Sequence, residues 1–246
     1  MAYSDFASVY DRLMGDVNYK KRTDYLLKLF KKFGHTPTLL LDVACGTGGF
    51  SMELARRGIE VIGTDMSEDM LSAAREKSAD EGLDILYLCQ KAEELDLYGT
   101  VDGAICLMDS INHITDKRTL AAAFKKISLF LEPQKLFIFD VNTPYKHEKV
   151  LSNNTFVLDE EGVYCVWQNS FDRKKLETII TLDFFTEENG AFYRSGEEFC
   201  ERAYTVKELT RLLTIAGLKT EAVFGDLSLK APTDTEERIF FVCRKI

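Results

Sequence analysis

Short apolar runs of strand length alternate with stretches of helical periodicity between residues 38 and 141, and this alternation limits the possible folds more than any other feature. The apolar runs are Thr38–Cys45, Glu60–Met66, Ile85–Cys89, Val101–Met108 and Lys135–Val141. Apolar residues at helical spacing lie between them, as in Leu120, Phe124, Ile127 and Leu131. Strands separated by helices of this length predict a parallel sheet covered by helices on both faces.

The flanking segments complete the predicted fold. Residues 1–36 are predicted to be helical, and Thr205 with Glu208 three residues later predicts a capping box at the start of a late helix. Two closing strands, Thr220–Phe224 and Arg238–Cys243, bring the number of sheet strands to seven. We therefore expect an α/β fold with a Rossmann-like, doubly wound, seven-stranded and mostly parallel sheet, with helices on both faces.

Residues 151–204 interrupt the alternation. They hold ten of the 28 aromatic residues, five basic residues and eleven acidic ones, in runs typical of antiparallel strands. We expect one cofactor-binding domain built from 1–150 and 205–246, and an antiparallel β insertion at 151–204. Ligands in such folds bind at the carboxyl edge of the sheet, so the insertion is a candidate substrate lid.

Composition excludes several classes of protein. The 31 basic and 40 acidic residues give a net charge of −9, which argues against a reader of the nucleic-acid backbone. We find no apolar stretch long enough for a membrane helix and no secretory signal at Met1–Asp11. The six cysteines form no Cys-x-x-Cys pair and the three histidines lack ligand spacing. These features predict a cytoplasmic protein with reduced thiols, no metal site and a small-molecule partner, and they leave the oligomeric state open.

A glycine-rich turn follows the first predicted strand, in Asp42-Val-Ala-Cys-Gly46-Thr-Gly48-Gly49. Glycines let a backbone turn tightly and approach a ligand, and the next helix presents its N-terminal amides there. Asp65, 19 residues after Gly46, ends the second strand, where a carboxylate can accept both hydroxyls of a ribose. The alternative is a plain strand-to-helix turn with an exposed aspartate nearby.

The turn departs from the dinucleotide pattern Gly-x-Gly-x-x-Gly, because the third glycine position is Ser51 and an acid, Asp42, lies inside the strand. It resembles motif I of the class I S-adenosylmethionine-dependent methyltransferases. The resemblance continues in Phe6–Met14, in Ile62–Ser67 and in Asp102–His113, and it spans residues 3–145. The N-terminal part is similar to small-molecule members, including the sugar N-methyltransferases.

The resemblance implies a set of cofactor contacts. Asp42, Ala44, Gly46 and Gly48 would line the methionine end of S-adenosylmethionine, and Asp65 would take the ribose hydroxyls. Met66 would pack on the adenine, with Ala92 and Glu93 beside its edge. Leu107 would offer its backbone carbonyl to the cofactor's ammonium group. This chain has Lys91 where many relatives have an acid near the adenine amine.

Two residues are candidates for catalysis. His113 follows the fourth strand and matches a histidine of the resembled sugar N-methyltransferases, so it could act as a base or orient the substrate. Tyr10 matches an active-site tyrosine of the same enzymes. Each has a structural alternative, since His113 could bond a loop carbonyl and Tyr10 could belong to a helix core. Asp109 could orient a substrate amine or simply be solvated.

We therefore expect an S-adenosylmethionine-dependent methyltransferase that transfers a methyl group by in-line displacement to a small-molecule nucleophile, with an amine as the candidate acceptor. Three alternatives stay open at this point. They are an RNA or protein methyltransferase with the same cofactor, a NAD-dependent oxidoreductase, and a protein that binds the cofactor without catalysis.

Overall fold

A central sheet of seven strands organises the computed structural model, which describes residues 4–15, 17–160, 162–188 and 190–246. Its strands are β1 Leu39–Val43, β2 Glu60–Asp65, β3 Leu86–Cys89, β4 Val101–Cys106, β5 Leu131–Asn142, β10 Leu218–Gly225 and β11 Arg238–Lys245. Their order across the sheet is β10-β11-β5-β4-β1-β2-β3, and only β11 runs antiparallel to its neighbours. The predicted α/β class is confirmed.

Within the described residues, six α-helices flank the sheets: α1 Ser4–Leu13, α2 Tyr19–Lys32, α3 Gly49–Ala55, α4 Glu68–Asp80, α5 Lys117–Phe130 and α6 Val206–Ile215. Apolar stripes of α5 and α6, including Phe124 and Leu209, pack on one face of the central sheet. Stripes of α2 and α3, including Phe30 and Leu54, pack on the other face. The doubly wound arrangement follows from this burial on both sides.

Helix ends follow the capping chemistry of the sequence. Thr205 and Glu208 form the predicted capping box at the start of α6. Leu131, by contrast, is not part of the preceding helix, because α5 ends at Phe130 and β5 begins at Leu131. Pro133 explains the early end, since a proline disfavours helical backbone at the residue before it.

The insertion forms a second, antiparallel sheet of four strands: β6 Thr155–Glu160, β7 Val163–Asp172, β8 Glu177–Glu188 and β9 Ala191–Arg202. One face of this sheet, with Cys165, Leu182 and Phe184, packs on Val9 of α1. The N-terminal helix thus lies between the insertion and α4. Among the described residues, no helix combines the length and apolar character needed to cross a membrane.

Candidate active site

A cavity of about 620 Å³ opens at the carboxyl edge of the central sheet. It lies beside β1 and β4, where the strand order reverses and where doubly wound sheets bind their ligands. Its walls come from the ends of the first four strands, from α1 and α2, and from β9 of the insertion. A volume of this size suits a cofactor together with a small molecule.

The glycine-rich turn forms one wall of the cavity. Ala44, Gly46 and Gly48 all have positive φ angles, of 55°, 55° and 79°, so the chain turns sharply after β1. Ala44 and Gly46 line the cavity. A Cβ on Gly46 would meet no atom within 4 Å, which leaves the backbone accessible to a ligand.

Gly48 has a different structural task and is not among the residues that line the cavity. It occupies the N-cap position of α3, and a Cβ there would lie 2.5 Å from the Tyr87 hydroxyl. This glycine is needed for the packing of α3 against Tyr87. A direct contact between Gly48 and the cofactor remains a prediction without support from its placement.

Asp65 lies at the end of β2 with its carboxylate on the cavity wall. One oxygen accepts from the Gly46 N–H at 2.8 Å and the other from the Ser67 N–H at 2.9 Å. Each oxygen keeps a second lone pair, so the carboxylate offers two adjacent acceptors. These two acceptors fit the vicinal hydroxyls of a ribose, which would donate to them. Burial raises the pKa of Asp65 above its ordinary value.

Asp42 and Ser51, the two departures from the dinucleotide pattern, are bonded to each other. Ser51 Oγ donates to Asp42 Oδ2 at 2.6 Å, and both residues are buried. Burial raises the pKa of Asp42 to about 7, with the nearby charge of Asp65 as a further cause. The serine therefore serves as a partner for the strand acid, which lines the cavity beside the turn.

The other predicted cofactor residues line the cavity together. Met66 is 56% exposed, and Ala92 and Glu93 lie in a short 3-10 helix, Ala92–Glu94, that follows β3. Leu107 lies beyond the end of β4, and its carbonyl accepts from Ser110 Oγ at 2.8 Å. That carbonyl keeps one lone pair for a cationic group.

The two candidate catalytic residues, Tyr10 and His113, both line the cavity. His113 ends a 3-10 helix, Ser110–His113, and its ring stacks on Phe199 of β9 with centroids 5.0 Å apart. Burial lowers the pKa of His113 below its ordinary value, so the ring is neutral near pH 7. Tyr10 shares a hydrogen bond with Tyr19, and burial raises the pKa of both phenols.

Asp11 of helix α1 bonds the helix to the glycine-rich turn after β1 and to α4. Asp11 accepts from Thr47 Oγ1 at 2.6 Å and from Lys77 Nζ at 2.5 Å. These bonds join α1 to the loop after β1 and to α4. The helix thus covers the side of the cavity on which Tyr10 lies.

Arg238, Asp109 and Asp140 form a buried ionic network next to the turn that follows β4 and leads to His113. Arg238 on β11 donates to Asp109 at 2.6 Å and to Asp140 at 2.8 Å. Asp140 also accepts from the N–H groups of Met108 and Asp109, which both have positive φ angles. Burial favours the protonated form of Asp109, but Arg238, Lys146 and His113 hold its pKa below the usual range. The network fixes a strained turn after β4.

Asp109, His113 and Glu201 bring ligand-type atoms within 4.8 Å of one another. Both Asp109 oxygens are engaged, one by Arg238 and the other by Asn142 Nδ2 at 2.7 Å. We therefore describe the group as part of the buried hydrogen-bonding network. The absence of a metal site remains a prediction.

Known proteins resemble the chain over its whole length. A model of the methyltransferase domain family matches residues 40–134. The putative methyltransferase YqeM of Bacillus subtilis is 32% identical over 100% of this chain and 98% of its own length. The crystal structure of an S-adenosylmethionine-dependent methyltransferase from Clostridium acetobutylicum has a TM-score of 0.90, with 32% identity over 99% of this chain and 98% of that one. The chain belongs to the class I S-adenosylmethionine-dependent methyltransferases.

This membership sets the NAD-dependent alternative aside and establishes S-adenosylmethionine as the cofactor of this methyltransferase. A more distant structure shares the fold. The S-adenosylmethionine-bound amino pentose methyltransferase CalS10 of Micromonospora echinaspora has a TM-score of 0.78, with 19% identity over 100% of this chain and 98% of that one.

Sequence reasoning missed several residues of the site: Tyr19, Asp140, Phe199, Glu201 and Arg238. Asp140 gave a usable signal, because an acid inside the apolar run Leu136–Val141 needs a buried partner. Glu201 gave none, since it lies in the acidic insertion among many exposed acids. His147 is fully buried, although its charged surroundings in the sequence allowed an exposed position.

Proposed function

We propose that this methyltransferase transfers the methyl group to a nitrogen nucleophile of a small molecule. One observation carries the proposal, namely the chamber around His113. Its walls come from α1, from the turn after β4 and from β9, so the chamber is surrounded by three separate parts of the fold. Such a site favours a small acceptor over an RNA or a protein surface.

The insertion acts as the substrate lid in this proposal. Its strand β9 supplies Phe199, which stacks on His113, and Glu201, which is buried behind that ring. We assign residues 1–150 and 205–246 to the cofactor-binding domain. Residues 151–204 cover the acceptor side of its cavity. The acidic balance of the insertion disfavours a nucleic-acid acceptor.

S-adenosylmethionine supplies a methyl group already activated on a sulfonium. The protein then has to bind the cofactor and the acceptor, align the nucleophile with the methyl group, and exclude water. Asp65 offers acceptors for the ribose, and Asp42 and Leu107 offer acceptors near the glycine turn. His113 lies at the acceptor end as a neutral imidazole, which can take the proton of an incoming ammonium group.

An amine acceptor suits a site with a neutral base, because an ammonium group must lose a proton before its nitrogen can attack. CalS10, which shares the fold, is an amino pentose methyltransferase. The neutral His113 provides the base that such a substrate needs.

We also propose that the enzyme works in the reducing cytoplasm. All six cysteines carry free thiols, and three of them, Cys106, Cys165 and Cys243, are buried. Burial raises the pKa of these three thiols, which keeps them protonated and unreactive.

A mass-spectrometric screen tests the proposed acceptor. The enzyme and S-adenosylmethionine are incubated with panels of amino sugars, other primary and secondary amines, phenols, bulk RNA and unfolded protein. We expect a mass gain of one methyl group on amines, and a rate lower by about 10²–10⁴ for His113→Asn. Methylation confined to RNA or protein would contradict the proposal, as would binding of S-adenosylhomocysteine with no turnover on any panel.

A further inference from the structure

Glu201 is a buried acid placed between two histidines. It lies on β9 opposite Thr178 of β8, and its side chain is 5% exposed. One carboxylate oxygen is 3.6 Å from His113 Nε2, and the other is 3.7 Å from His147 Nε2. A buried acid in such a position must be protonated or compensated by its neighbours.

Residues from several elements surround the Glu201 carboxylate. Asn142, the last residue of β5, donates to the carboxylate at 3.4 Å, and the other ring nitrogen of His147 shares a hydrogen bond with Thr178 Oγ1 at 2.8 Å. The charged or titratable groups around it are Asp109, His113, Lys146, His147, Cys200 and Arg238.

These neighbours give the two histidines different roles. Burial lowers the pKa of His147 to about 4, so its ring stays neutral. The ring of His113 borders the cavity and is the partner of Glu201 that can meet a substrate. Burial and the charge of Asp109 raise the pKa of Glu201 well above the ordinary range of a carboxyl group.

We propose that Glu201 is a positioning residue for His113, with which it shares one proton across the junction between the insertion and the central domain. Near neutral pH the shared proton lies mainly on Glu201, because burial raises its pKa to about 8. In the ionised form, which gains population as the pH approaches that value, His113 carries its hydrogen on Nε2 toward the carboxylate, and Nδ1 becomes the basic nitrogen. The proposal requires the distance of 3.6 Å to shorten when the site engages a ligand, as often happens with catalytic hydrogen bonds.

The shared proton gives the insertion a part in the chemistry. In molecules with ionised Glu201, a proton taken at Nδ1 forms an imidazolium, whose Nε2 proton then passes to the Glu201 carboxylate. The ring ends neutral and Glu201 ends as the acid, so charge and protons balance. This consequence rests on the proposed function, whereas the shared proton itself does not.

Nuclear magnetic resonance on the whole protein tests the pair without any substrate. The chain has three histidines, so ¹⁵N-histidine labelling gives three ring systems, assigned with His35→Asn and His147→Asn. The titration runs from about pH 5 to about pH 10. In the wild type we expect His113 to titrate in two steps, because two interacting groups lose their protons as a pair. The Glu201 carboxyl ¹³C signal should move with the same two midpoints.

Glu201→Gln should leave His113 with one step, displaced toward acid by a factor of about ten in proton affinity. Glu198→Gln is the matched control, because Glu198 lies on the same strand, is exposed and bonds Thr181; it should titrate like the wild type. An unchanged single step of His113 in the wild type and in Glu201→Gln overturns the proposal. If Glu201→Gln does not fold, independent midpoints of His113 and Glu201 in the wild type overturn it equally. An enzyme inactive on every amine would refute the proposed function and leave this result standing.

Discussion

The two ends of the cavity are built in different ways. The cofactor end takes Asp42, Gly46 and Asp65 from one strand–turn–helix–strand unit, and its carboxylates are bonded by backbone N–H groups and one serine. The acceptor end takes its charges from distant segments, and Arg238 reaches Asp109 across 129 residues of sequence. Local turn geometry therefore shapes the first end, and tertiary packing shapes the second.

The difference has an energetic consequence. At the cofactor end, each acid is solvated by neutral donors and retains much of that solvation if a neighbour changes. At the acceptor end, Arg238, Asp109 and Asp140 compensate one another's charge in a buried place. Removal of one member leaves the others unpaired, and an uncompensated buried charge is costly.

The largest effect is expected for Arg238→Met. This change leaves Asp109 and Asp140 without their cation, and we expect the free energy of unfolding to fall by about 3–5 kcal/mol. Urea denaturation at neutral pH measures it. Arg211→Met is the control, since Arg211 is exposed on α6, and it should change stability by about 0.5 kcal/mol or less. A loss under about 1 kcal/mol in Arg238→Met would show that the network carries no such dependence.

The next effect concerns pH and the cofactor end. The folded pKa of Asp42 is about 7, above the ordinary 3.8, so the folded chain binds more protons between these values. The contribution of Asp42 to stability is therefore present at low pH and is lost as the pH rises through this window. Asp42→Asn removes the titration and keeps an acceptor for Ser51. Relative to wild type, it should gain about 2–3 kcal/mol between about pH 5 and about pH 8. A stability difference independent of pH would refute the raised pKa.

A smaller effect is expected on ligand affinity for Asp65→Ala. The change removes the two acceptors proposed for the ribose, and S-adenosylhomocysteine should bind more weakly by about 1–3 kcal/mol in calorimetric titration. Asp69→Ala, exposed in the first turn of α4, should bind like the wild type. NAD should bind to none of the three proteins. Equal affinity of Asp65→Ala and wild type would remove Asp65 from the cofactor site.

The same contrast explains what the sequence could predict. The doubly wound α/β class, the glycine turn and the positions of Asp42 and Asp65 at one edge of the sheet follow from periodicity and from motifs within short segments, and the place of Leu107 follows from the family resemblance. Glu201 and Arg238 could not be found that way, because their meaning depends on which residues a distant strand brings beside them. Gly48 is an intermediate case, since the motif predicted a turn glycine there but could not separate ligand contact from packing on Tyr87.

That last distinction can be measured by comparing Gly48→Ala with Gly46→Ala. Both glycines have positive φ angles, so alanine at either place carries a similar backbone strain. Only at Gly48 would the new methyl group approach Tyr87 and Ala74, at 2.5 and 3.2 Å, whereas at Gly46 it enters open space. Gly48→Ala should therefore be less stable than Gly46→Ala by about 1–2 kcal/mol in thermal or urea unfolding.

Affinity for S-adenosylhomocysteine should follow the opposite order, because the methyl group of Gly46→Ala projects from the cavity wall and that of Gly48→Ala does not. Gly58→Ala is a control for both variants, since Gly58 shares the positive φ and has open space around it far from the turn. It should show the strain alone. If Gly48→Ala were the variant with the weaker ligand binding and the normal stability, the contact predicted by the motif would be correct and the packing role of Gly48 would be wrong.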